Sequence, residues 1–290
     1  MKVSRRSFLK KIAWTAAGLV ALPSASFSYA RYAEPKWLDQ TSVSLPFERL
    51  PKELDGLRIV QFSDVHHGFH YSAADLLKLA AAINRLQPEM ICFTGDLVDY
   101  SMGADSEAQA VINALKAMQA PLGKFAVLGN HDYYADPMSI VNALTAGGFK
   151  VLRNEAVSVK RQGSETSAFW MAGVEDQWEG KPDIAQALKQ AKNDPFVLLL
   201  SHCPDYADIA AKHGVDLQLS GHSHGGQVRL PFFGHLTVPK YAQKYVKGLY
   251  TLEQGKLQLY VNRGIGVSVY PVRFWCRPEL TAFTLRATQT

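Results

Sequence analysis

In the stretch Ile91-Cys92-Phe93-Thr94-Gly95-Asp96-Leu97-Val98-Asp99, a short apolar run leads directly into a Gly-Asp pair. Such a run reads as a buried strand, and it leaves the Asp96 carboxylate where the strand ends and the chain can turn out of the sheet into a cleft. On its own the pattern is an ordinary turn. It recurs along the chain: Asp64-Val65-His66, Gly129-Asn130-His131-Asp132, Ser201-His202 and Gly221-His222-Ser223-His224 each follow another apolar run. Five strand ends in one chain therefore carry metal-binding side chains.

Outward from residues 90–94, expected strands alternate with expected helices. Further strands are expected over 57–62, 125–128 and 196–200. The helices are expected over 72–86, opened by the capping-box pattern Ser72-Ala73-Ala74-Asp75 and stopped by Pro88, and over 107–118. Another runs from Asp136-Pro137 to Gly147-Gly148, and one over 205–212 is closed by Gly214. Residues 151–170 read as hairpin-like strands and 227–285 as mostly strand. This order predicts an α/β protein with helices on the outer faces of its sheets. The chain has 290 residues, 47% of them apolar, enough for one large domain, expected over 53–290 after a linker over 31–52.

The formal charge of +5 is misleading. Lys2, Arg5, Arg6, Lys10 and Lys11 all precede residue 31, and the remainder carries 26 basic and 26 acidic residues. A neutral mature domain does not suggest a general nucleic-acid or membrane-surface binder. Ser4-Arg5-Arg6-Ser7-Phe8-Leu9-Lys10, followed by an apolar stretch over 12–22 and small residues at Ser28 and Ala30, matches a twin-arginine signal peptide over 1–30. The expected partner is the twin-arginine translocase, which carries folded proteins. The expected location is beyond the cytoplasmic membrane: secreted, wall-associated or periplasmic, with an uncleaved membrane anchor as the alternative. Cys92, Cys203 and Cys276 follow no zinc-ribbon spacing and read as free thiols.

Asp64, His66, Asp96, Asn130, His202, His222 and His224 combine carboxylate, imidazole and amide donors, a mixture that suits Mn, Zn or Fe and not Ca or Mg alone. Two divalent ions about 3.5–4 Å apart need a shared ligand, and a carboxylate can hold both; Asp96 is assigned that bridge. His67, His70, His213 and His235 read as structural, with a place on the cleft rim as the alternative for His67 and His70.

DxH at 64–66, GDxxD at 95–99, GNHD at 129–132, His202 and GHxH at 221–224, in this order, resemble the calcineurin-like metallophosphoesterases across about residues 57–285. Residues 224–231, residues 261–266 and the leader are similar to an exported bacterial phosphodiesterase branch. The resemblance implies a four-layer αββα sandwich of two mixed sheets flanked by helices. It implies that Asp64, His66 and His224 hold one metal and Asn130, His202 and His222 the other, with Asp96 bridging. His131 would be the non-ligand general acid beside the leaving group, oriented by Asp99, with metal-activated hydroxide as nucleophile.

In the phosphoprotein-phosphatase branch, Arg-Gly follows GDxxD; here Tyr100-Ser101 stand there, which argues against a phosphoprotein substrate. Arg263 is the candidate replacement guanidinium in substrate binding, with a structural arginine as the alternative. The substrate is expected to be a phosphodiester or pyrophosphate, with lipid head groups and cell-wall polymers among the candidates and no stable nucleic-acid partner. Tyr241, Tyr245, Tyr270, Phe274 and Trp275 either flank that ligand or pack in the core. The alternatives are a phosphomonoesterase or nuclease of the same fold, or a non-catalytic metal-binding scaffold.

Overall fold

The computed structural model describes Arg5, Trp14 and residues 23–161, 168–191, 196–253 and 256–288. Apart from Arg5 and Trp14, the twin-arginine motif and the apolar stretch 12–22 lie outside the described residues. In chain order the strands are β1 Asp39–Phe47, β2 Arg58–Phe62, β3 Met90–Phe93, β4 Lys124–Ala126, β5 Phe149–Val151, β6 Glu155–Lys160, β7 Ala168–Gly173, β8 Val197–Leu200, β9 Leu217–Ser220, β10 Arg229–Leu230, β11 Gly234–His235, β12 Gly248–Leu252, β13 Leu257–Val261 and β14 Glu279–Ala287. The helices are α1 Ala73–Arg85, α2 Asp105–Lys116, α3 Asn130–Ala135, α4 Pro137–Ala146, α5 Ile184–Ala187 and α6 Ala207–Ala210.

Two six-stranded sheets result, ordered β1-β14-β2-β3-β4-β5 and β12-β13-β9-β8-β7-β6. Strands β2 to β5 run parallel, as do β13, β9, β8 and β7. Antiparallel pairings of β14 with β2, β12 with β13, and β6 with β7 make both sheets mixed. The apolar runs are continuous because both faces of each sheet are covered. Met90 and Cys92 point into the core between the sheets, while Ile91 and Phe93 pack against the layer of α1, α2 and α4. In the second sheet Leu198 and Leu200 face the same inner core, and Val197 and Leu199 face α5 and α6. The four layers expected from the resemblance are therefore present.

The local signals in the sequence act as expected. Ser72 accepts from the Asp75 N–H and Asp75 returns a bond to the Ser72 N–H, capping α1. Asp136 caps α4, with Pro137 at its first position. The linker expected over 31–52 needs correction. Nine of its residues form β1, paired in parallel register from Asp39↔Glu279 to Phe47↔Ala287, and buried Glu34 accepts from the Trp275 N–H at 2.9 Å. β1 is an edge strand with Gln40, Ser42, Ser44 and Pro46 on its exposed side, so it lacks the continuous apolar run that reveals central strands. The segment 227–285 is also less regular than expected: residues 262–278 contain no strand and fold as loops around the end of the first sheet.

Candidate metal centre

In both sheets the parallel strands end on the same side, and the residues just past those ends converge. Asp64 and His66 follow β2, Asp96 follows β3, Asn130 and His131 open α3 after β4, His202 follows β8, and His222 and His224 follow β9. This is the edge where α/β sheets place ligands. The turns are tight. Asp64, His66, Asp96, His222 and His224 all have positive φ, between 47° and 68°. Non-glycine residues adopt this region at a steric cost, and clusters of them mark sites where geometry outranks local comfort. Gly95 (φ 99°) shows how close the loops come: a Cβ there would lie 2.5 Å from the Gly129 nitrogen and 2.8 Å from His202 Nδ1.

Three sets of buried donors result, of which one, His66 with Asp99 and His131, overlaps the first of two separate ones, Asp64 with His66 and His224, and Asp96 with His202 and His222. Asp96 stands between them: its Oδ2 is 3.6 Å from His66 Nε2 and 3.2 Å from His202 Nε2. Neighbouring groups fix each imidazole. His202 Nδ1 bonds the Thr94 carbonyl at 2.7 Å, His222 Nε2 the Lys240 carbonyl at 2.8 Å, and His66 Nδ1 lies 3.0 Å from Asp99 Oδ1. Such contacts commit one ring nitrogen and present the other as a ligand.

The arrangement fits cations. His66 Nε2 and His224 Nε2 face each other at 3.0 Å, and buried Asn130 Oδ1 has no hydrogen-bond partner among the described residues. Ionisation agrees. Burial opposes charge on Asp96, but His202, His131 and His66 outweigh it and hold the carboxyl well below its usual range. Burial likewise opposes charge on His202, yet Asp96 and Asp64 push it up to about 10. Without a cation the site keeps a proton to balance its carboxylates. His222 moves the other way, down to about 3, through burial and the nearby His202.

His131 stands apart from the two donor sets on either side of Asp96. Its Nδ1 bonds the Asp99 carbonyl at 2.7 Å and lies 3.3 Å from Asp99 Oδ1, while its backbone N–H donates to Asp96 Oδ1 at 2.9 Å. Burial lowers its pKa, but Asp96 and Asp99 raise it to about 9. The ring lies between Tyr100 and Tyr134 and lines a cleft of about 520 Å³ beside the donors.

The other assignments sort clearly. Arg263 is structural and does not line the cleft: its Nε pairs with Glu279 and its Nη2 with Asp39, both at 2.9 Å. The expected substrate contact is therefore corrected. The buried carboxylate of Glu279 and the half-buried one of Asp39 take up that guanidinium. His67 is buried 3.4 Å from Glu107, and His70 contacts Arg31. The three cysteines are buried and free. Of the five aromatics, Tyr270 lines the cleft and Tyr245 is buried.

Two groups escaped the sequence reading. Asp132 accepts from the backbone N–H groups of Asp96, Leu97 and Gly129 at 2.8–2.9 Å, tying two site loops together. Burial and Asp96 push it up to about 7, against backbone bonds that favour its ionised form. Its place in GNHD was the available signal. Arg273, fully buried, donates to the carbonyls of Arg263, Gly266 and Cys276 and contacts His224 Nδ1 at 3.4 Å. No local pattern marks it.

Residues 57–226 match the family model described as Calcineurin-like phosphoesterase. The chain belongs to that family of metal-dependent phosphoester hydrolases. It is 38% identical over 288 residues to the uncharacterized metallophosphoesterase YkuE of Bacillus subtilis (strain 168), covering 99% of each chain. It is 32% identical to the phosphodiesterase YaeI of Escherichia coli (strain K12), covering 98% of this chain and 99% of that one. The UDP-2,3-diacylglucosamine pyrophosphatase LpxG of Chlamydia muridarum (strain MoPn / Nigg) is 30% identical, with 90% and 93% covered.

Proposed function

We propose that this chain is an exported phosphodiesterase or pyrophosphatase that uses two divalent cations, with His131 as general acid. The observation that carries the diester reading is the cleft lining: among the described residues around it there is no Lys or Arg. Apart from bound cations, positive charge near the substrate comes from the site histidines and from buried Arg273, which reaches His224 without lining the cleft. That suits a phosphorus centre with one negative charge better than a dianionic monoester. Asp64, His66 and His224 would hold one cation and Asn130, His202 and His222 the other, with Asp96 shared. The cations would supply Lewis acidity toward phosphoryl oxygens and activate water. Asp99 fixes the His131 ring through Nδ1 and leaves Nε2 to protonate the departing oxygen. The phosphodiesterase and pyrophosphatase names of two relatives support the same reading.

The test is kcat/KM for bis-p-nitrophenyl phosphate against p-nitrophenyl phosphate at fixed Mn²⁺. The diester is expected to be preferred, and a clear monoester preference overturns the reading. Export rests on the twin-arginine pattern. Changing Arg5 and Arg6 together to Lys should leave the precursor in the cytoplasm, and normal export of that variant removes the assignment.

A further inference from the structure

The hairpin of β10 and β11 has a tip that the folded protein does not use. Phe232 and Phe233 are 106% and 85% exposed, and Leu236 beside them is exposed as well. The turn is closed by the Phe233 N–H donating to the Leu230 carbonyl at 3.3 Å, with Pro231 second and Phe232 third. Phe232 has φ 67°, at a turn position where glycine is favoured. A bulky aromatic is thus held in a strained conformation with its ring in water, and packing within the domain offers no reason for it.

The surrounding sequence is positively charged although the mature chain is neutral. From Leu217 to Leu252 there is no Asp or Glu, while Arg229, Lys240, Lys244 and Lys247 fall in that span. Lys244 is engaged by Asp208, but Lys240 and Lys247 are exposed. The patch also adjoins the cleft. Val238 and Pro239, just after β11, line its mouth opposite Val269 and Tyr270, and Gln227 Nε2 binds the Ser268 and Tyr270 carbonyls, fastening that loop to the root of the hairpin. The N-terminal segment arrives nearby: Tyr29 packs on Phe274 and the Ala30 carbonyl accepts from the Arg273 N–H.

We infer that the β10–β11 hairpin is a membrane wedge. Phe232 and Phe233 enter the interface of an anionic lipid bilayer, Lys240 and Lys247 meet its head groups, and the cleft mouth faces the membrane. Apolar residues at an exposed apex, in a span that carries basic and no acidic residues, bind membrane surfaces by combining hydrocarbon burial with attraction to anionic lipid. A soluble polyanion would engage the lysines and leave the phenylalanines in water. The inference goes beyond the phosphoesterase reading; only its consequence, a substrate presented in the plane of the lipid, depends on that reading.

The test uses the full chain. Because the native cysteines are all buried, a Phe233→Cys variant can be labelled at the tip with an environment-sensitive fluorophore. Its emission should shift to the blue on adding phosphatidylglycerol–phosphatidylcholine vesicles, and the same label at Leu77→Cys on α1 should not respond. Phe232→Gly combined with Phe233→Ser, which also relieves the turn, should reduce co-sedimentation with those vesicles at least tenfold and leave turnover of soluble bis-p-nitrophenyl phosphate within about twofold. No shift at position 233, or undiminished sedimentation of the double variant, overturns the inference. So does a label that responds to polyphosphate or to protein concentration alone, which would assign the tip to a polymer or a second copy. None of these vesicle readouts requires an active enzyme, so failure of the phosphoesterase reading would be seen separately.

Discussion

The two donor sets on either side of Asp96 are built from the same residue types but are balanced differently. Asp64, His66 and His224 lie against the permanent charge of Arg273, and His224 is held well below its usual range by burial, His66 and that guanidinium. Among the described residues Asp96, His202 and His222 have no arginine in contact, and their cationic group in the cation-free protein is His202, which Asp96 and Asp64 push up to about 10. One half of the centre is thus supplied with charge by the fold and the other by titration. Asp96 is the residue through which they communicate.

The largest expected effect follows from that shared position. Asp96→Asn should lose both cations and nearly all activity, more than any change confined to one set. Metal analysis finding two full equivalents in the variant would break the comparison, because the halves would then be independent. His131→Ala should sharpen it, since the role proposed for this histidine is at the leaving group and not in holding a cation. Both cations should remain, with turnover of a substrate with a poor leaving group falling by roughly 10²–10⁴. Equal slowing of substrates with good and poor leaving groups would remove the acid role.

The smallest effect is on stability. His202 and His131 titrate higher in the folded cation-free protein, at about 10 and about 9, than the ordinary value near 6.5. Groups raised in this way contribute stability that is fully present below about pH 6.5 and lost as pH rises through the folded values. The melting temperature of chelated protein should therefore fall from about pH 6.5 toward 10. Mn²⁺ should oppose the fall, because binding displaces the proton on His202, a ligand, and tightens as that proton leaves. A flat or rising profile for the chelated protein contradicts the assignment of protons to these two histidines.

Much of this was legible in the chain because the strand ends announce themselves: β3 and β8 are unbroken apolar runs, and the donors follow within a few residues. Asp96 was identifiable from its surroundings and Asp99 through the resemblance of GDxxD at 95–99 to the family motif. Other features depend on distance. Arg273 acts on His224 from 49 positions away, and the Arg263 carboxylates are at positions 39 and 279, so neither role leaves a local trace. β1 was hidden by its polar alternation at the edge of the sheet. The charge balance of the whole chain was also a poor guide to its surface. Residues 31–290 are neutral in sum, yet all the acidic residues avoid the span that carries Phe232 and Phe233.

The parallel pairing of β1 with β14 has a consequence for how the protein is made. Asp39 is made about 240 residues before Glu279, its partner. At roughly 5–20 residues per second, β1 waits on the order of 10–50 s for the strand it needs. β14 also lies between β1 and β2, so β1 stays apart from the rest of the first sheet until β14 has been made. The amino-terminal segment is therefore the first part of the domain to be synthesised and among the last to be fixed in place. A transport route that accepts finished folds can wait for that closure, whereas one that threads the chain as it emerges would carry β1 away before β14 exists.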